Sequence, residues 1–427
     1  MADPCPLPEL VAPAGTPEKL QTALHFGADA AYVGMKRFSL RARAGNFGED
    51  ELEWALEYAH ERGRKVYVAI NVQPFDDDLD EIEQTLNVLA RLEPDGVVVG
   101  DAGVLTLARR TAPGLRIHLS TQASVTNREA ATHWFSNGVT RIVLARELSL
   151  ARLHRLTPHV AGELEVFVHG AMCIAVSGRC FLSLYWAGSH RDPRSGTCAQ
   201  PCRWPYLDAT LVEARYPERC HPIRLEQDGT YFFDSRDLSA LPVLDHLVAT
   251  GVHALKLEGR TRSVHYVGTV VDVYRTALDL LANGEQAAFQ RRLPEFEAEL
   301  QRSTKRGFST HFLAGEENAA STYQPAGTPA CGEAVLLGTV TATGEGWLDV
   351  TLVNPLRAAT EVEVRDRGLV ANHVRVRRLE TPGGDRLDLG RPGDVIRIRG
   401  TRLGTPGALV RLPIGSEQAK ESGFPSH

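Results

Sequence analysis

An α/β chain, built as a (β/α)8 TIM-like barrel with a cysteine-bearing insertion and followed by a small C-terminal antiparallel β-barrel, is the architecture this sequence predicts. Three observations lead there. Eight short apolar, β-rich runs alternate with amphipathic stretches between residues 9 and 258. One connection between such runs is far longer than the others and holds four of the seven cysteines. Beyond residue 331 the apolar period falls to two, with turn residues between short segments.

The eight runs span residues 9–13, 30–34, 65–71, 96–100, 116–120, 141–145, 163–169 and 253–258. Helical patterns at 17–26, 50–62, 79–92 and 149–156 separate several of them. An open, doubly wound sheet shares this alternation. The count of eight, and the lack of a glycine-rich fingerprint after the first run, favour the barrel. Two long helical stretches follow, at 263–282 and 285–302. Residues 315–330 are rich in Ala, Ser, Thr, Gly and Pro and read as a linker. This divides the chain into a barrel with its insertion and trailing helices (1–314), the linker, and a β domain (331–427) with strands expected at 334–343, 347–353, 361–365, 373–379 and 394–399.

Residues 170–252 connect the seventh run to the eighth, where a βα loop usually takes roughly 2–6 residues. In a barrel such a loop leaves from the C-terminal face, the face that carries active sites. It contains Cys173, Cys180, Cys198 and Cys202 in the pattern C-x6-C-x17-C-x3-C. Four gathered thiolates are a soft ligand set, suited to an iron–sulfur cluster or to zinc. The C-x6-C half is wider than the C-x2-C of zinc ribbons and fits an irregular iron–sulfur loop better. Cys220, followed by His221, is a possible substitute ligand.

Strand alternation indicates what points into the barrel. In the eighth run Leu255 and Leu257 share one face, so Lys256 and Glu258 face inward. In the seventh, Glu165, Phe167 and His169 face in; in the fifth, His118, Ser120 and Gln122. Asn71 and Arg146 end or follow the third and sixth runs. Buried charges are costly unless paired, so this set is either a structural network or a ligand site. At the mouth, His169, Glu258 and Gln122 are candidate catalytic groups. Arg37, Arg41 and Arg43, in the loop after the second run, join Asn71, Arg146, Lys256 and Arg260 as candidate binding groups. Guanidinium groups clamp carboxylates and phosphates bidentately.

The net charge of −6 gives no sign of general nucleic-acid affinity; basic groups are instead local, at Arg179, Arg191, Arg194 and Arg203 and at Arg375, Arg377, Arg378, Arg397, Arg399 and Arg402. No apolar run approaches the roughly 20 residues of a membrane helix. The N-terminus MADPCPLPEL has no basic segment and no apolar core of a secretory signal. The odd cysteine total argues against a disulfide framework, and a reducing cytoplasm is the expected compartment.

The runs ELVAPAGTPEKLQTALHFGADAAYVG, RFSLRARAGNF, HLSTQASVTN, LARELSL, FVHGAMCIAVSGRCFLS, HRDPRSGTCAQPCRW and ALKLEGRTRS resemble the peptidase U32 family over the whole chain. Within that family the chain is most similar to the branch that hydroxylates the wobble uridine of tRNA to 5-hydroxyuridine in a prephenate-dependent reaction. Sister branches hydroxylate a ribosomal cytidine or a ubiquinone precursor. The resemblance implies a [4Fe–4S] cluster on Cys173, Cys180, Cys198 and Cys202. It also implies prephenate, or another small dicarboxylate, as co-substrate, and tRNA as partner. A collagenase-like peptidase and a non-catalytic RNA-binding factor are the alternatives. The sequence has no HExxH, no G-x-S-x-G and no recognisable nucleophile–base motif.

Overall fold

The computed structural model describes residues 7–42, 44–204, 211–212, 220–221, 235–304, 306–315, 334–399 and 404–412. Arg43, Arg402, Cys5, Cys331 and most of the expected linker lie outside them, as do the side chains of Arg203, Cys220 and His221.

Eight parallel strands run in chain order: β1 (Glu9–Pro13), β2 (Ala30–Gly34), β3 (Lys65–Ile70), β4 (Gly96–Val99), β5 (Ile117–Leu119), β6 (Arg141–Val143), β7 (Glu163–Ala171) and β8 (Ala254–Leu257). Each pairs with the next through β7, and β8 pairs with both β7 and β1, so the sheet closes. Short all-apolar runs such as Gly-Val-Val-Val suit strands buried on both faces. The inward face carries Val11, Ala30, Tyr32, Tyr67, Ala69, Val98 and Ala254, every second residue along each strand.

Helices α1 (Pro17–His25), α2 (Glu49–His60), α3 (Leu79–Leu92), α4 (Ala102–Thr111), α5 (Arg128–Ser136) and α6 (Leu150–Leu156) connect successive strands. Helix α3 buries Ile82, Leu86 and Leu89, spaced four and three apart on one face. Helices α4 and α5 begin at side-chain caps: Asp101 accepts from Gly103 and Val104 N–H, and Asn127 accepts from Ala130 N–H.

The seventh strand carries an irregularity. Lys256 pairs with Phe167, but Leu257 pairs with His169, so one extra residue is accommodated between them. Beyond that bulge β7 continues to Ala171, and a short antiparallel strand, Asp237–Ser239, lies against its end.

The chain forms two compact units. One comprises Met1–Pro17, Asp29–Thr261 and Arg306–Ala330; the other comprises Glu18–Ala28, Arg262–Lys305 and Cys331–His427. The trailing helices, expected with the barrel, fall in the second unit: α7 (Val264–Ala282) and α8 (Gln286–Gln301). A buried ion network ties them to the C-terminal sheet. Arg411 is fully buried and donates to Glu299 of α8 and to Glu363 of that sheet, both at 2.8 Å. That sheet has eight antiparallel strands with an apolar core including Leu337, Val350, Val364, Ile396 and Val410. Among the described residues the two ends of its ladder are not paired with each other. The expected strand at 373–379 is divided into Val370–Arg375 and Leu379–Glu380, and the final strand Leu409–Arg411 had no expected counterpart. Among the described residues no helix is long and apolar enough to cross a membrane.

Candidate active site

A cleft opens among the C-terminal ends of the barrel strands. Its polar lining is Tyr32, Arg41, Asn71, Ser120, Thr121, Gln122, Arg146, Lys256, Glu258 and Arg260, with Phe167, Val98 and Ala69 as apolar wall. Four cations line it and one carboxylate, Glu258, faces them.

The cations differ in how firmly they are held. Lys256 is committed downward, 2.6 Å from the buried carboxylate of Glu165. Glu165 also takes Arg141 at 3.2 Å, and Arg141 binds Glu9 at 2.8 Å, so the lower barrel is a closed ion network. Arg260 Nη1 donates to Ser39 Oγ at 2.7 Å, which fixes it under the β2 loop. Arg41 and Arg146 reach Glu258 only at 3.4 and 3.5 Å, long for charge-assisted bonds. Arg146 is steadied by Ala171 O at 2.7 Å and by stacking on Phe167, 4.0 Å from the ring centroid.

Burial alone would raise the Glu258 carboxyl, yet Arg41, Arg146, Arg260 and Lys256 together hold it below the ordinary carboxylate range. The charge of Glu258 in turn pushes Arg41 up, with Cys173 and Cys198 adding to the effect. Burial lowers Arg260, and burial followed by Glu258 raises Tyr32. A site so arranged presents fixed positive charge and hydrogen-bond donors to an anion. Glu258 is a weak base there, because the surrounding cations lower its pKa and Arg41 and Arg146 both contact it.

Gln122, Glu258, Arg41, Asn71, Arg146, Lys256 and Arg260 are thus brought together as the sequence indicated. Asn71 accepts from Leu40 N–H at 3.1 Å and so ties the β2 loop to the β3 end. Two expectations are corrected. His169 does not line the cavity; the bulge in β7 shifts the alternation by one, and its ring lies 5.1 Å from Phe308. Arg37 faces away from the cavity, exposed and paired with Glu81. Tyr32 and Ser39 were missed. Alternation along β2 could have given Tyr32; no local signal gives Ser39, because its partner is more than two hundred residues away.

The cysteine-bearing excursion folds back onto the barrel mouth. Ser177 N–H and Oγ donate to the Glu147 carboxylate at 2.6 and 3.1 Å, and Ser124 Oγ donates to Ser177 O. Gly178 has φ +77° and packs so closely that a Cβ would stand 2.3 Å from Gln122 O. Gly196, at φ +86°, sits close over Ser39 and Leu40, where a Cβ would stand 2.7 Å from Ser39 O, and Ala42 N–H donates to Gly196 O. Gln73 N–H donates to Arg194 O at 3.2 Å. Four βα loops therefore hold the excursion.

Cys173, Cys180, Cys198 and Cys202 all lie on it, none in a disulfide and none fully buried. Gln200 N–H donates to Cys198 Sγ at 3.4 Å. Among the described residues no three His, Cys, Asp or Glu side chains converge as a single-ion site requires. A four-iron cluster takes one thiolate on each iron, so its ligands stand apart around an inorganic core. By the chemistry of its donors, a four-cysteine set near the cationic Arg41 fits such a cluster.

The model of peptidase family U32 matches residues 15–323. The chain is 38% identical over 313 residues to tRNA hydroxylation protein P1 of Bacillus subtilis, covering 72% of this chain and 71% of that one. It is 30% identical to the 23S rRNA 5-hydroxycytidine C2501 synthase of Escherichia coli, covering 82% of this chain and 51% of the relative. It is also 30% identical to a protein of Porphyromonas gingivalis named collagenase, covering 65% of this chain and 66% of the relative. With the family model matching residues 15–323 and these relatives, the chain belongs to peptidase family U32.

Proposed function

We propose that this protein is a tRNA hydroxylase that forms 5-hydroxyuridine at the wobble position. The observation that carries the reading is the cationic cavity directly beneath the four-cysteine excursion. Four cations line it, and Arg41 and Arg146 reach Glu258 only at 3.4 and 3.5 Å. The similarity to a tRNA hydroxylation protein and to an rRNA 5-hydroxycytidine synthase supports hydroxylation of an RNA pyrimidine.

The co-substrate is prephenate. Its two carboxylates suit Arg41, Arg146 and Arg260, with Asn71 and Gln122 orienting the ring hydroxyl. In the overall change the uridine C5–H becomes C5–OH, a two-electron oxidation. The donor passes its hydroxyl group to C5 and takes the C5 hydrogen in exchange, its C–OH becoming C–H; it is reduced by the same two electrons, so no dioxygen is consumed. Cys173, Cys180, Cys198 and Cys202 hold a [4Fe–4S] cluster, which supplies one-electron transfer when bound. Lys256, 2.6 Å from Glu165, ties the mouth to the ion network of the barrel floor. Phe167 and Val98 exclude water from the reacting face. Arg375 and Arg377, exposed on the C-terminal sheet, add phosphate contacts, whereas Arg397 is bound to Asp349 and both Arg378 and Arg399 are bound to Glu380.

A peptidase would need an activated nucleophile. Among the described cavity residues Ser120 and Thr121 are the hydroxyl candidates. Ser120 Oγ is engaged by Gln122 N–H and Asn71 Nδ2, while Thr121 Oγ1 donates to Leu144 O; neither has a base. The test incubates anaerobically purified protein with tRNA and prephenate and analyses the nucleosides by mass spectrometry. We expect 5-hydroxyuridine that requires prephenate and falls at least a hundredfold in Arg146→Met. Product that is indifferent to prephenate, or peptide cleavage without RNA modification, would overturn the reading.

A further inference from the structure

Every exposed large aromatic side chain among the described residues belongs to one surface. Tyr185 is 77% exposed, Phe181 50%, Trp186 49% and Trp204 37%, all on the cysteine excursion. Phe75, 60% exposed, completes the set, with the Arg194 guanidinium 4.7 Å from its ring centroid. The other exposed large hydrophobic residues are aliphatic. Rings are costly to leave in water, and their concentration on one face marks an interaction surface.

The charge of that face narrows the partner. Residues 173–204 carry four arginines and one acid, Asp192, in a chain whose net charge is −6. Asp192 is taken by Arg194 at 2.7 Å. Arg179 and His190 are exposed. The rings are ordered by their neighbours. Phe181 and Tyr185, one helical turn apart on Leu182–Ala187 and its cap, lie 6.2 Å apart, and Trp204 Nε1 donates to Ala199 O at 3.0 Å. A protein-binding core is depleted of charge; rings interleaved with arginine are what stacks and tracks an unpaired nucleic-acid strand.

We propose that this aromatic–arginine face binds the unpaired nucleotides that flank the modified base in the RNA substrate. The inference rests on the RNA-hydroxylase reading. A base must leave its stack to enter a cavity, and its neighbours then need new stacking partners. The face is placed to provide them: its Gly196 lies on the Ser39–Arg41 loop, and Arg41 lines the cavity.

The test measures affinity of the full-length, cluster-loaded protein for an anticodon stem-loop RNA and for a fully paired duplex of equal length. Tyr185→Ala and Trp186→Ala are each expected to weaken stem-loop binding about tenfold. Duplex binding, iron content and melting temperature should stay unchanged. Tyr185→Phe should bind as the parent does, and stem-loop should quench tryptophan emission in the parent much more than in Trp186→Phe. Unchanged stem-loop affinity in both alanine variants would overturn the proposal, and a surface for a protein partner would then be the better account. Parent protein that binds stem-loop through Tyr185 but makes no 5-hydroxyuridine would refute the hydroxylase reading while leaving this surface standing.

Discussion

Glu258 decides the charge balance of the barrel mouth. It is the one acid among the cations there, and its two long contacts leave Arg41 and Arg146 with donors to spare. Below it the acids are fully committed, and Glu9 shows the consequence. Burial pushes the Glu9 carboxyl up, but Arg141, Lys65 and Tyr67, at 2.8, 2.8 and 2.7 Å, outweigh burial and hold it at about 2. A folded pKa below the unfolded 4.5 means that the unfolded chain takes up the proton first. The stabilisation is therefore complete above pH 4.5 and is lost as pH falls toward 2. We predict that Glu9→Gln costs about 3 kcal/mol at pH 7 and flattens the acid limb of the stability profile. Denaturant titrations across pH 2–7 check this; a parallel acid limb in the variant would contradict it. Seven of the candidate residues were legible because strand alternation and position after a strand end both point into the mouth. Arg37 was not, since loop residues obey no such period.

At the level of elements, the barrel was readable because buried parallel strands are short uniform apolar runs. Strands β1 and β2 fall at their expected residues, and most others end within two of them. What alternation cannot foresee is an extra residue: the bulge between Lys256 and Leu257 turns His169 out of register. Helices α4 and α5 were not among the expected helical stretches; they start at the side-chain caps Asp101 and Asn127. The excursion depends on two glycines that no pattern rule marks as contacts. Gly196→Ala would set a Cβ 2.7 Å from Ser39 O at a φ of +86°. We predict a local loss of about 1–3 kcal/mol. Amide exchange around residues 190–200 should accelerate at least fivefold while the barrel strands keep their protection. Equal exchange in both proteins would show that the excursion is held by other means.

Across the whole molecule, a barrel mouth lined by cationic donors stands against an excursion that carries four cysteines. The second unit has its own rationale: Arg411, with Glu299 and Glu363, welds trailing helices to the C-terminal sheet. The sequence carried no local sign of that bond, since its members are separated by more than forty residues. The central claim is that the four thiolates hold an iron–sulfur cluster over the mouth. Its most direct test is an anaerobic absorption spectrum with iron and acid-labile sulfide assays on the full-length protein. We predict about four iron and about four sulfide per chain, with broad visible absorption that bleaches on reduction and is lost in Cys198→Ala. Stoichiometric zinc without sulfide, or a colourless protein that binds neither, would contradict it.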